Sequence, residues 1–377
     1  VERFDVAIIG LGVGGSLLLR ELVERKPELK ILVIEPSEKN QNDRIISFWS
    51  DEAFPFPDMP YHSWSSVGVQ TPLNYRTTSI TPYKYYSFEG IELYNLTKKL
   101  IQEHQNVTLV HEPVISMMES AGGVIVSTAS HAFSAQIVFD GHRDIAAIKK
   151  EAESAGSLFL YQEFSGFKIK TTTPAFTAAE PTLFDFRTPQ NNGFSFAYIL
   201  PFNEYEAMID YVVYTETLHG DTSEQLTHYI SDILGITEYT ITFKEGGVIP
   251  LTTHRFPRSA GKNLYRIGTN GGMIKPSTGY GFTRMLAESK DIARQITANN
   301  KTITFYNTPE FFRLSDTLLL RIMQKNHERC PEIFTSLFKH ENSSRILKFL
   351  DEKASVTEVC QTGLDLPKMP FITALFQ

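Results

Sequence analysis

"FDVAIIGLGVGGSLLLRELVERKPELKILVIE", residues 4–35, decides the fold. Phe4 to Ile9 is a short apolar run rich in β-branched residues, the composition of a strand buried on both faces. "GLGVGG" follows at once, and Leu18, Leu19, Leu22 and Val23 then recur at helical spacing through Ser16 to Lys26. Lys30 to Ile34 reads as a second buried strand, ending on Glu35. In this G-x-G-x-x-G, Gly10 makes the tight turn and Gly12 lets backbone approach a pyrophosphate. Gly15, with Gly14 beside it, lets the helix pack close to the strand. The phosphates are expected at the helix N-terminus, where unpaired N–H groups and the dipole favour an anion. Glu35 is placed to accept from a ribose 2′-hydroxyl, which favours FAD or NAD over a cofactor with a 2′-phosphate.

The bulk numbers bound what surrounds this unit. A chain of 377 residues is too long for one simple core and predicts about two domains or a large interleaved α/β fold. Its 36 basic and 43 acidic side chains give a net charge of −7 with no basic block, which argues against nucleic acid as a partner. Two cysteines, Cys330 and Cys360, lie in no metal-type spacing, so neither a disulfide framework nor a metal site is expected and a reducing, cytoplasmic compartment fits. The apolar run from Val6 already belongs to the glycine motif and is not read as a signal peptide. No segment approaches 18 consecutive apolar residues, so no bilayer-spanning helix is expected. Contact with a membrane surface, on its inner face, stays open. The 27 phenylalanines and 16 tyrosines fit either an aromatic core or a large apolar substrate pocket.

Beyond residue 50 the pattern changes. Residues 51–90 are rich in Pro, Tyr, Ser and Thr and suggest extended segments that help to form a substrate cavity. Ile91 to His104 reads as a helix, and Val107 to Val110, Gly123 to Ser127 and Ala135 to Gly141 as strands. Residues 157–250 are dominated by strands such as "LFLYQEFSGFKI", "EAMIDYVVY" and "YTITFKEGGVIPL". We read residues 1–150 and 260–300 as one discontinuous dinucleotide domain. Residues 151–259 form an inserted, mostly antiparallel sheet, and residues 301–377 a helical C-terminal region. A second glycine loop, "RIGTNGGMIKPSTGYGF" (266–282), precedes a helix from Thr283 to Asn299.

That split layout resembles the two-dinucleotide-fold flavoproteins of the hydroxylase type, in which a late "G-D" segment binds the ribityl chain and a Pro-Gly loop lies along the isoalloxazine. The resemblance makes FAD the expected cofactor. Gly268 stands at the Gly of that segment, but Thr269 and Asn270 stand where the acid would be. Pro276 and Gly279 allow close approach, and the N–H groups of Thr278 to Tyr280 are expected to face the flavin edge. Arg44, after the second strand, is expected near the adenosine phosphates. Glu92 replaces an expected Arg. Asp140 is expected to close a turn beside the cofactor.

The chain is also similar to the flavin-dependent lycopene cyclases of the bacterial and plant type. The segments "RIISFWSDE", "KYYSFEGIEL", "IVFDGHRD", "LYQEFSGFKIK", "FAYILPF", "GGVIPLT", "GGMIKPSTGYGF" and "PEFFRLSDTLLLRIM" carry the likeness and occur in family order. The resemblance implies a redox-neutral isomerisation that requires reduced FAD, with NAD(P)H as a candidate external reductant. A proton adds to the terminal double bond of an apolar polyene such as lycopene, the end closes to a six-membered ring, and a second proton leaves. A cation of this kind calls for a dry pocket, aromatic faces and an acid–base carboxylate.

The family's essential carboxylate maps onto Asp210, one methylene shorter than the usual Glu, and the usually acidic next position is Tyr211. Ser47, Phe48, Trp49 and Tyr211 are expected to line the cavity, with Glu216 a reserve acid near a turn. The helix beginning "PEFFRLSDTLLLRIM" mixes apolar residues with Arg313, Arg321 and Lys325 and would suit a membrane interface. Two alternatives stand beside the cyclase: a flavin-dependent monooxygenase or halogenase of the same fold acting on an apolar substrate, and a non-catalytic flavin- or isoprenoid-binding relative.

Overall fold

The computed structural model describes residues 2–300 and 302–376. The opening unit forms as read: strand Glu2–Ile9, helix Val13–Arg25, strand Ile31–Ile34. These two strands pair in parallel, and the sheet extends on one side to Val107–Val110 and on the other to Ala132–Asp140. Leu264–Arg266 returns from far along the chain to pair in parallel with the end of Ala132–Asp140. A hairpin, Ser116–Ser120 and Gly123–Ser127, completes the other edge. Gly15 shows why the glycines are needed: a Cβ there would lie 1.9 Å from the Gly10 carbonyl oxygen, so only glycine lets the helix start this close to the turn.

The second layer is a seven-stranded sheet in the order 239–252, 159–171, 206–215, 194–201, 182–185, 66–70 and 75–79. Its long strands are antiparallel neighbours, but Thr182–Asp185 pairs in parallel with Ser66–Gln70. The sheet therefore draws two strands from the extended region before residue 90 and reaches beyond 151–259. A small three-stranded sheet of Ile45–Ser50, Lys84–Glu89 and His62–Trp64 bridges the two large ones. A helix not foreseen in the sequence, Ile145–Ser154, follows Asp140 and is capped by the Asp144 side chain accepting from Ala147 N–H.

Helices Glu310–Lys325, Cys330–Leu337, Ser344–Leu350, Val356–Asp365 and Lys368–Leu375 make up the C-terminal region. Leu320, Ile322 and Met323 of the first helix join the core of the large sheet. Arg321 donates to the Ala374 carbonyl and Arg313 to that of Thr308. These two cations are spent on internal contacts, so this helix is a packing element and not the exposed interfacial one its sequence suggested. Exposed apolar side chains gather instead at the chain's end, on Met369, Ile372, Leu375 and Phe376. Among the described residues, no helix is long and apolar enough to cross a membrane.

Candidate active site

One cavity of about 920 Å³ runs from the glycine turn to the face of the large sheet. At the first end, backbone forms the walls. Gly10 has a φ of +88°, and a Cβ at Gly12 or Gly268 would meet nothing within 4 Å, so both open directly onto free space. Gly14 approaches Gly268 so closely that a Cβ on it would lie 3.2 Å from the Gly268 Cα. Glu35 is buried; its two oxygens accept from Leu11 N–H at 2.8 Å and Ser37 N–H at 3.0 Å. It thus holds the glycine turn, and its remaining lone pairs line the cavity.

Arg44 and Arg143 line the same end. Asp43 binds the Arg44 guanidinium through two bonds of 2.8 and 2.9 Å and raises its pKa. Burial lowers that of Arg143, with Arg44 adding repulsion. Asp140 accepts from His142 N–H and from the Asn270 amide, both at 2.9 Å. The carboxylate missing from positions 269 and 270 thus has a counterpart on the neighbouring strand, and Asn270 is its donor. A second acid at 270 would repel Asp140 across this short distance.

The loop 266–282 departs from expectation in two respects. Thr278 and Gly279 donate their N–H groups to the Lys275 carbonyl, at 3.3 and 3.0 Å, because the loop closes as a tight turn on itself. They are therefore not free for a ligand. Pro276 lines a separate groove beside Arg284 and Asp316, on the far side of the loop from the cavity. Thr278, Gly279 and Tyr280 do line the cavity. The loop is braced from behind by Lys275, only 2% exposed, which meets Asp316 at 3.0 Å while Ser277 donates to Asp316 at 2.6 Å. A buried charge is tolerable only with such partners, so the C-terminal helices are needed to hold this loop.

At the other end, side chains form the walls. Phe164, Leu183, Phe184, Phe196, Val212, Tyr214, Ile249 and Phe334 give it an apolar lining. Three phenols meet inside it: the Tyr85 hydroxyl lies 2.6 Å from that of Tyr198 and 2.7 Å from that of Tyr280. Burial holds all three neutral, with the Tyr280 phenol pushed up to about 12.

Asp210 stands here, 6% exposed, on a central strand. Its neighbour in space is Glu245, a residue that sequence reading missed. Both pair with Gly166 on the strand between them. Burial, then the charge of Glu245, raises the Asp210 carboxyl well above the usual carboxylate range, and burial pushes Glu245 up to about 7. Ile45 N–H donates to Glu245 at 2.6 Å and opposes that rise. A signal for Glu245 was present: in Tyr239, Ile241, Phe243 and Glu245, the acid occupies the apolar phase of an alternating strand.

The same period separates the other candidates. Ser47 lines the cavity, whereas Phe48 points to the opposite face and stacks on Phe282 at 4.3 Å. Trp49 lies behind Tyr280, ring centroids 4.4 Å apart, and donates to Asp351. Tyr211 faces away from Asp210 into a cluster with Phe167 and Ile209. An acid at 211 would therefore also point away from Asp210. Glu216 is exposed and accepts from Gln324. Glu92 stays outside the cavity, in the first turn of helix Gly90–Glu103.

The lycopene cyclase protein family model matches residues 5–376. The chain belongs to the lycopene cyclase family. Among curated relatives, it is 25% identical to lycopene beta-cyclase of Pseudescherichia vulneris over 303 residues, covering 77% of this chain and 73% of that one. It is 22% identical to lycopene beta-cyclase of Pantoea ananas, covering 74% and 71%. Among solved structures, a flavin-dependent brominase superposes with a TM-score of 0.62 at 13% identity, covering 93% and 94% of the two chains. A p-nitrophenol 4-monooxygenase from Pseudomonas putida gives 0.63 at 12% identity, covering 94% and 99%. The shared element is the Rossmann-like flavoprotein fold, here with a helical C-terminus.

Proposed function

We propose that this protein binds FAD and cyclises the end group of lycopene or a related polyene without net redox change. One observation carries the reading: a single cavity joins a glycine-walled dinucleotide cradle to an apolar chamber that holds the buried carboxyl of Asp210. The residues present fit FAD. Three buried polar atoms on lining residues, Gln162 Oε1, Asp210 Oδ1 and Thr278 Oγ1, have no hydrogen-bond partner among the described residues. Gly10, Gly12, Gly14 and Gly15 would receive the pyrophosphate, Glu35 the ribose, Arg44 the phosphate edge, and Gly268, Thr278, Gly279 and Tyr280 the flavin side. When bound, FAD in its reduced form would supply an electron-rich surface beside the developing cation.

The protein's own groups do the rest. Asp210 gives its proton to the terminal double bond, and the apolar walls keep water from trapping the cation. The faces of Tyr85, Tyr198 and Tyr280, all neutral phenols, offer their negative quadrupoles to the positive charge. A carboxylate of the site then removes a proton from the closed ring, so the product is an isomer of the substrate. The exposed apolar residues of Lys368–Leu375 fit contact with the membrane from which such a substrate would be drawn.

The test is anaerobic. The FAD-loaded protein is reduced with dithionite or NADPH and given lycopene in liposomes, alongside Asp210→Ala. Cyclic products that need a reductant but no O₂, and that vanish with Asp210→Ala, are expected. In a parallel sample with O₂ and halide admitted, oxygenated or halogenated products in place of rings would replace the cyclase by the monooxygenase or halogenase reading. Bound FAD without turnover would favour a binding role.

A further inference from the structure

Glu245 lines the apolar chamber, and neither the family reading nor the glycine motifs supplies a role for it. Its strand, Tyr239–Thr252, lies at the sheet edge, one strand removed from that of Asp210. Two residues so placed would ordinarily be separated by the side chain of the strand between them. Here that position is Gly166, which pairs with Asp210 on one side and Glu245 on the other. A Cβ on Gly166 would lie 1.9 Å from Asp210 Oδ1, so the Asp210 carboxyl occupies the space this side chain would fill. With no side chain on Gly166, the two carboxyls face one another across the strand between them, and the charge of Glu245 helps to raise the Asp210 carboxyl. Asp210 Oδ1 is buried and has no hydrogen-bond partner among the described residues.

We propose that Glu245 is the positioning residue of this site, sharing one proton with Asp210 across the gap left by Gly166. This deepens the cyclase reading and rests on it for the reaction, though not for the pair itself. Two carboxylates this close cannot both ionise cheaply, so the pair keeps a proton near neutral pH where an isolated Asp would have lost it. It also compensates for the short Asp side chain, because Glu245 fixes the carboxyl from the opposite side.

The proton balance closes. The Asp210 O–H bond breaks as a C–H bond forms at the terminal alkene. The neighbouring double bond closes the ring on the resulting cation. A ring C–H bond then breaks and its electron pair forms the new C=C, while the proton re-forms an O–H on the pair. One proton is held before and after, and no electrons are exchanged with an outside partner. The charged and titratable groups facing the pair are Asp43 and Arg44 from the segment before Ile45–Ser50, and the phenols of Tyr198 and Tyr280. Gly166 adds none from the strand between.

The experiment is a pH titration of the protonated-carboxyl stretch by infrared difference spectroscopy on the FAD-loaded wild type, Glu245→Gln and Glu245→Asp. The Gln keeps an oxygen to accept from Ile45 N–H, and Asp restores a carboxyl if Gln fails to fold. Wild type is expected to titrate in two separated steps, Glu245→Gln in one step below the upper of these, and Glu245→Asp in two steps drawn closer together. In lycopene cyclisation, the alkaline limb of kcat is expected to move to lower pH in Glu245→Gln. At mildly alkaline pH kcat should fall about 100-fold, with KM nearly unchanged. If Glu245→Gln deletes one step and leaves the other in place, the carboxyls are independent and the proposal is overturned. Failure of wild type to cyclise lycopene would overturn the cyclase reading alone, since the two-step titration is measured without substrate.

Discussion

The two ends of the cavity are built by opposite means. The dinucleotide end is walled by backbone: Gly10, Gly12, Gly14 and Gly268 remove side chains so that main chain can reach a ligand. The sheet end is walled by side chains from strands distant in sequence, where Tyr85, Tyr198, Asp210, Glu245 and Tyr280 converge. Gly166 links the two strategies, since here too a missing side chain makes room, but for a carboxyl of the protein itself. The first end thus rests largely on short glycine motifs, and the second on the tertiary pairing of strands.

Substitutions that break one end should leave the other intact. The largest effect is expected at Gly15→Val, whose side chain would run into the Gly10 carbonyl. Destabilisation of about 3 kcal/mol and loss of bound flavin should show in thermal unfolding and in the absorbance of the purified protein. Asp210→Asn should keep its flavin yet lose ~10²–10⁴-fold in cyclisation rate, because the chamber then has no transferable proton at that position. Tyr280→Phe removes one of the two phenols bonded to Tyr85, and a cost of about 1 kcal/mol is expected in denaturant unfolding, with flavin retained.

A smaller effect concerns pH. Glu245 is pushed up to about 7 in the folded chain, against an ordinary value of about 4.3. The folded state therefore binds more protons than the unfolded one between these values, and stability falls as pH rises through them. Relative to Glu245→Gln, the wild type should lose thermal stability between about pH 5 and pH 8. The smallest effect is expected at Tyr211→Phe. Its ring lies on the far face of the strand, so cyclisation should stay within ~2-fold of wild type in the same assay.

The same contrast explains what could be read in advance. The strand–turn–helix–strand of residues 2–34 follows from local composition and spacing, and it forms as read. The return of Leu264–Arg266 beside Ala132–Asp140 was legible because a buried strand and a glycine loop mark its ends. The alternation of its strand marks Glu245 as an inward acid, but its partnership with Asp210 was not legible, because nothing local says that Gly166 separates the two; that juxtaposition exists only once three strands are in register. Phe48, Trp49 and Tyr211 were assigned to the cavity by proximity in sequence. A strand sends neighbouring residues to opposite faces, and for Trp49 the ring of Tyr280 intervenes. Pro276 and the N–H groups of Thr278 and Gly279 were likewise assigned from the residue types of the loop, before its closure on Lys275 was visible.

On the proposed mechanism, a protonated carboxyl in the apolar chamber starts a cyclisation that is chemically an isomerisation. The most direct measurement is mass analysis of the product formed from lycopene by the reduced, FAD-loaded protein in D₂O without oxygen. One deuterium gained for each ring formed, no oxygen gained, and neither product nor label with Asp210→Asn are expected from this mechanism. Rings formed without deuterium, or equal labelling with Asp210→Asn, would contradict it.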